Sequence, residues 1–143
     1  MNKDIARCII ALGVVVSLAA CTPKHDGDNK LVILHTNDTH SQIVPDRNDL
    51  GGVMRRKAVI DSIRKAEDNV LLVDAGDAVQ GTLYFYLYGG RVEQEVLNNL
   101  GVDVRILGNH EFDNGIDSLA SVLAISDATK LSTNYDLDNT PLN

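Results

Sequence analysis

Runs of unbroken apolar residues alternate along this chain with longer stretches in which apolar positions recur every three or four residues. Leu31-Val32-Ile33-Leu34 is the first such run, and a continuous apolar run between polar loops is the pattern of a strand buried on both faces. After a polar loop containing Pro45 and Asn48, residues 51–65 place Val53, Ile60 and Ile63 among Arg55, Arg56, Lys57 and Arg64, which predicts an amphipathic helix. Residues 70–73 read as a second buried strand. Residues 91–100 form a second helix stopped by Gly101, a C-terminal helix signal. Residues 104–107 give a third strand, residues 115–128 a third helix with Ile116, Leu119, Val122, Leu123 and Ile125 on its apolar face, and residues 130–135 a fourth strand. The order βαβαβαβ predicts an α/β fold with a mostly parallel sheet and right-handed crossovers.

The first segment does not belong to that pattern. Lys3 and Arg7 precede an apolar stretch over residues 9–20 that is too short to span a bilayer, so residues 1–20 read as a secretory signal. Leu18-Ala19-Ala20-Cys21 resembles a bacterial lipobox, which implies cleavage before Cys21, a lipid on that cysteine and a membrane-anchored lipoprotein of the cell envelope facing periplasm or exterior. The plainer reading is an ordinary signal peptide with a chance cysteine. Residues 21–29, with Pro23 and Gly27, form a polar tether in which His25 is solvated. Residues 30–143 hold the fold. Cys8 leaves with the signal, so no internal disulfide is available and stability rests on a packed core and on bound metal. The formal charge of −7 becomes one unit more negative when Lys3, Asp4 and Arg7 are removed. An acidic surface argues against a nucleic-acid polymer as partner but not against a small phosphate ester, because bound cations invert the local field.

Three polar segments follow the three apolar runs. They are Thr36-Asn37-Asp38-Thr39-His40, Asp74-Ala75-Gly76-Asp77 and Gly108-Asn109-His110-Glu111. Asp38 to Asp77 is 39 positions and Asp77 to Asn109 is 32, each about one strand-helix-strand unit, so parallel strands bring all three loops to one sheet edge. Carboxylate, imidazole and amide oxygen donors suit divalent Zn, Mn, Mg or Fe. Two such ions, one held by Asp38, His40 and Asp77 and the other by Asp77 and Asn109, share the bridging Asp77 and grip both oxygens of an in-line phosphoryl displacement. His110, beside Asn109, is placed to stabilise the transferring group or to protonate the leaving oxygen, and Asp113 to orient its ring. Glu111 is expected to tie down neighbouring backbone donors and Phe112 to pack behind the loop. His35 is expected to be a hydrogen-bonded core residue. Arg55 to Lys57 read as a solvated helix face, and the aromatic patch over residues 84–88 as a base-stacking surface or a cover for apolar surface.

Together with Gln80-Gly81-Thr82, Phe112-Asp113 and Leu131-Ser132-Thr133-Asn134-Tyr135, these segments resemble the calcineurin-like metallophosphoesterases, in the branch of 5'-nucleotidases and UDP-sugar hydrolases. The resemblance runs from about Leu31 to Tyr135. It implies the first half of a four-layer αββα domain that hydrolyses phosphate esters of nucleosides, with two divalent metals. By position it makes Asp38, His40, Asp77 and Asn109 ligands and His110 with Asp113 the catalytic pair. It also implies further histidines from a second half of the domain, whereas the four histidines here are His25, His35, His40 and His110. The second ion then lacks ligands and the sheet lacks its opposing layer. The chain is expected to be an N-terminal fragment, inactive alone and needing a C-terminal half or a partner chain. The alternatives are a catalytically incomplete remnant or lipid-anchored binding module, and a phosphodiesterase acting on cyclic nucleotides or nucleotide sugars.

Overall fold

The computed structural model describes residues 30–143; the signal segment, Cys8, Cys21, His25 and the tether lie outside the described residues. Strand β1 (Val32–Thr36) is followed by helix α1 (Val53–Ala66), strand β2 (Val70–Asp74), helices α2 (Leu83–Tyr88) and α3 (Arg91–Leu100), and strand β3 (Val104–Arg105). A 3₁₀ turn (His110–Phe112), helix α4 (Ile116–Leu123) and strand β4 (Thr129–Lys130) complete the described elements. The sheet is parallel throughout with strand order β1-β2-β3-β4, as the βαβ alternation predicts.

Pairing aligns Thr36 with Asp74 and Asp74 with Arg105, so the three following loops leave the sheet together. The core joins α1, β2 and α3 through Ile60, Leu72, Leu97 and Leu100, with Leu34 packed against it. Full burial of each such leucine stabilises by about 1.5–3 kcal/mol. Arg64, in the last turn of α1, donates to the carbonyls of Leu100 (2.9 Å) and Gly101 (2.5 Å). A cation thereby satisfies the orphan acceptors at the end of α3. Gly101 takes the left-handed conformation, φ 71°, that the predicted stop requires.

The structure corrects several expectations. β1 alternates rather than being buried on both faces: Leu34 meets the helices, while Leu31 and Ile33 are 57% and 59% exposed. His35 shares that open face and is exposed, not a core histidine. Among the described residues the helices whose apolar faces build the core meet only the Leu34–Leu72 face of the sheet.

α4 stops at Leu123, short of residue 128, because Asn98 captures the chain. Its Nδ2 donates to the Ile125 carbonyl (2.7 Å) and its Oδ1 accepts from the Asp127 amide (3.1 Å), which turns the backbone toward β3. The third strand shrinks to Val104–Arg105, and the fourth, expected over residues 130–135, is Thr129–Lys130 and shares only Lys130 with that range. The aromatic patch forms the separate short helix α2, capped by Thr82 Oγ1; only Phe85 is buried, and Tyr86, Leu87 and Tyr88 face solvent.

Candidate metal centre

The three loops are zipped together by their own backbones. Past β1, the amides of Asp38, His40 and Ser41 donate to the carbonyls of Gly76 (3.0 Å), Asp77 (3.1 Å) and Ala78 (2.9 Å). This continues the β1–β2 pairing beyond the strands and requires left-handed backbone at Asp38, His40, Ser41 and Asp77, with φ of 42–55°. Residues with a Cβ adopt that region at a cost that surrounding structure must offset, and such strain concentrates at functional sites. The loop after β3 closes on the same place. A Cβ on Gly108 would overlap Asp77 Oδ1 and lie 2.6 Å from the Asp77 amide nitrogen. Only glycine permits that approach.

Glu111 is the fastener. Its buried carboxylate accepts from the amides of Asp77 (3.0 Å), Ala78 (3.0 Å) and Gly108 (2.6 Å) and from Arg105 Nη2 (3.4 Å). The expectation that it ties down backbone donors is met with three amides, and the Arg105 guanidinium adds a fourth donor. Arg105 is buried as well, and donates to Gln94 Oε1. Burial lowers its basicity, while Glu111 and Asp74 act in the opposite sense. Asp74 accepts from Thr36 Oγ1 (2.7 Å) and from the Gly76 amide (3.2 Å). Its pKa is pushed up by burial, against those hydrogen bonds and Arg105. Of this buried polar layer the sequence motifs include only Asp74; Gln94 and Arg105 were not singled out. The signal available was polar residues at positions where strand and helix periodicity demand apolar ones.

Side chains from the three loops converge above that layer. Ligand-type atoms of His40, Asp77 and His110 all lie within 4.8 Å of one another, and the two imidazole rings meet edge to face with centroids 5.1 Å apart. Asp77 Oδ1 also accepts from the His110 amide (2.9 Å), which holds the loops in register. His110 Nδ1 is 2.9 Å from Asp113 Oδ2. That hydrogen bond raises the His110 pKa above its ordinary value, with the charges of Asp113, Asp77 and Glu111 adding and desolvation opposing.

Asp38 stands at the rim. Its Oδ1 is 3.9 Å from His40 Nε2, and its Oδ2 accepts from Asn37 Nδ2 (2.6 Å). Asn109 is exposed beside His110. Among the His and carboxylate side chains of the described residues, His110 groups with His40 and Asp77, and Asp38 approaches that trio at His40. Phe112 packs against Tyr135, centroids 5.2 Å apart, behind the loop as expected. Arg56 departs from its solvated reading: it is half-buried and donates to the Gln42 carbonyl (3.2 Å).

Two imidazoles and a carboxylate are a donor set for a borderline divalent ion such as Zn, Mn or Fe. The residues fit one, since the three donors lie within 4.8 Å of one another on a backbone tied down by Glu111.

Residues 31–142 match the family model described as calcineurin-like phosphoesterase. Human 5'-nucleotidase is 42% identical over 128 residues, which is 82% of this chain and 21% of that protein. The snake venom 5'-nucleotidase of Naja atra is 44% identical over 106 residues, 68% of this chain and 20% of the relative. Among solved structures, the 5'-nucleotidase precursor of Thermus thermophilus superposes with TM-score 0.70 at 37% identity, covering 76% of this chain and 24% of that one. The NAD nucleotidase of Haemophilus influenzae gives 0.68 at 38%, covering 73% and 20%. The chain spans about a fifth of the length of the curated relatives it matches. Sequence motifs, parallel sheet and clustered donors agree with these likenesses: the chain belongs to the calcineurin-like phosphoesterase family.

Proposed function

We propose that this chain carries part of the metal centre of a phosphohydrolase acting on nucleoside 5'-monophosphates. The observation that carries the reading is the convergence of His40, Asp77 and His110 within 4.8 Å, one from each loop of the sheet edge. The relatives named 5'-nucleotidase favour a nucleotide substrate. His40 and Asp77 would hold a divalent ion, with Asp38 and Asn109 completing its surroundings and Asp77 placed to bridge to a second. Such ions, when bound, supply positive charge that offsets the phosphate's and an electrophile for its hydrolysis. The chain's own contribution is orientation and proton transfer. Asp113 fixes the His110 ring through Nδ1, leaving Nε2 to hand a proton to the departing nucleoside oxygen.

The 4.8 Å grouping supports a second reading, in which His110 is itself a ligand. The two separate experimentally. If His110 acts on the substrate, His110→Ala leaves metal affinity within about threefold and removes turnover; if it is a ligand, affinity falls by about tenfold or more.

The exposed apolar face of β1 and the small donor set support a requirement for a further segment or partner chain that covers the sheet and supplies the remaining ligands. The lipobox at Cys21 supports a lipid anchor in the envelope, and the snake venom relative is in keeping with work outside the cytoplasm. Metal-dependent phosphate release from AMP tests the whole reading, using the chain alone and mixed with a polypeptide supplying the second half. Activity confined to the mixture and lost in His110→Ala is expected. Full activity of the chain alone would refute the need for further ligands, and none in either case would favour a catalytically incomplete remnant. Cyclic nucleotides and UDP-sugars in the same assay distinguish the diesterase alternative.

A further inference from the structure

Beneath the loops the structure holds a set of buried polar atoms that do not pair directly. Glu93, in α3, is 2% exposed, and neither of its carboxylate oxygens has a hydrogen-bond partner among the described residues. Four buried donors are likewise unpartnered among the described residues: Ser41 Oγ, Arg56 Nη1 and Arg105 Nε, and, away from the cavities that Glu93 lines, Ser126 Oγ. A carboxylate accepts only, and guanidinium nitrogens donate only. Buried groups of this kind are almost always satisfied, by protein or by ordered water.

Two small cavities lie between them. One of about 20 Å³ is lined by Glu93 together with Arg105, Gln94 and Glu111. The other, of about 10 Å³, is lined by Glu93 together with Ser41 and Arg56. A polar cavity of roughly 10–15 Å³ is enough for one water molecule. Glu93 is the one unpartnered acceptor that lines both, and each cavity carries at least one of the unpartnered donors.

We propose that Glu93 is a positioning residue whose carboxylate, through one buried water in each cavity, joins the loop after β1 to the loops after β2 and β3. One water links Glu93 to Ser41, which follows His40, and to Arg56. The other links Glu93 to Arg105, which holds Glu111 and through it the amides of Asp77, Ala78 and Gly108. The importance of holding these loops rests on the metal-centre reading above. The water network stands on the unpartnered atoms and cavities alone.

Water can turn to donate or to accept, so the network tolerates an amide in place of the carboxylate but not an apolar side chain. Amide hydrogen exchange of the full metal-free chain reads this directly. In Glu93→Leu the amides of Ser41, Asp77, Ala78 and Gly108 should exchange about tenfold faster. In Glu93→Gln they should stay within about threefold of wild type. Unchanged exchange in Glu93→Leu, or equal loss in the two variants, overturns the proposal. If Glu93→Leu speeds exchange everywhere because it folds poorly, Glu93→Gln decides: retained protection supports the bridge and lost protection refutes it. Cobalt titration of the wild-type chain, followed by visible absorption, keeps the two readings apart. Absence of a cobalt spectrum would sink the metal-centre reading while leaving the exchange result to judge Glu93.

Discussion

Replacing Glu111 by alanine should cost more stability than any other single change near the loops. Its two carboxylate oxygens each serve two donors: Oε2 takes the amides of Asp77 and Gly108, and Oε1 takes the amide of Ala78 and Arg105 Nη2. Truncation strands three backbone donors and a buried guanidinium. At about 1–3 kcal/mol for each unsatisfied buried group, with some relieved by entering water, the loss is about 3–5 kcal/mol. Glu111→Gln is the sharper probe because volume is kept. Whichever way the amide turns, its NH₂ faces two donors, so about 2 kcal/mol should still be lost. Urea unfolding of the full chain measures both. With a slope of about 1–3 kcal/mol per molar, Glu111→Ala should move the midpoint by about 2 M at unchanged slope. A loss below about 1 kcal/mol in Glu111→Ala, or a glutamine variant as stable as wild type, would refute the assignment of Glu111 as the fastener of the loops.

Gly108→Ala places a methyl group onto Asp77, so it should displace the Asp77 carboxylate and weaken cobalt binding by tenfold or more, about 1.4 kcal/mol or above; affinity equal to wild type would mean that the loops part freely. In metal-free protein the His110 titration, followed by imidazole NMR signals, should have its midpoint above the ordinary value of 6.5, and Asp113→Asn should lower it. Because the folded-state pKa is raised, the associated stability is fully present below the unfolded value and is lost as pH rises through the folded one, so Asp113→Asn should flatten that part of the stability profile. An unmoved midpoint in Asp113→Asn would count against Asp113 as the orienting group.

Periodicity by itself located the four strands and three of the four helices, though not the short helix α2, and hence the parallel α/β class, because burying one face of each element is a local property of the pattern. Motif spacing likewise brought Asp38, His40, Asp77, Asn109, His110 and Asp113 to one sheet edge, since βαβ units of similar length return each loop to the same end. Element ends were decided elsewhere. α4 stops where Asn98, 27 residues away in the chain, takes the Ile125 carbonyl, and no window around residue 125 contains that contact. The exposure of Ile33 and His35 depends on which layers cover the sheet, which an apolar run cannot report. The grouping of His110 with His40 and Asp77, and the polar layer of Asp74, Glu93, Gln94 and Arg105 beneath it, arise from side chains far apart in sequence meeting at one point. Residue types and spacing named candidate donors; only the packed loops fixed which of them come within 4.8 Å of one another, because that depends on backbone approach at Gly108 and on the four donors gathered by Glu111.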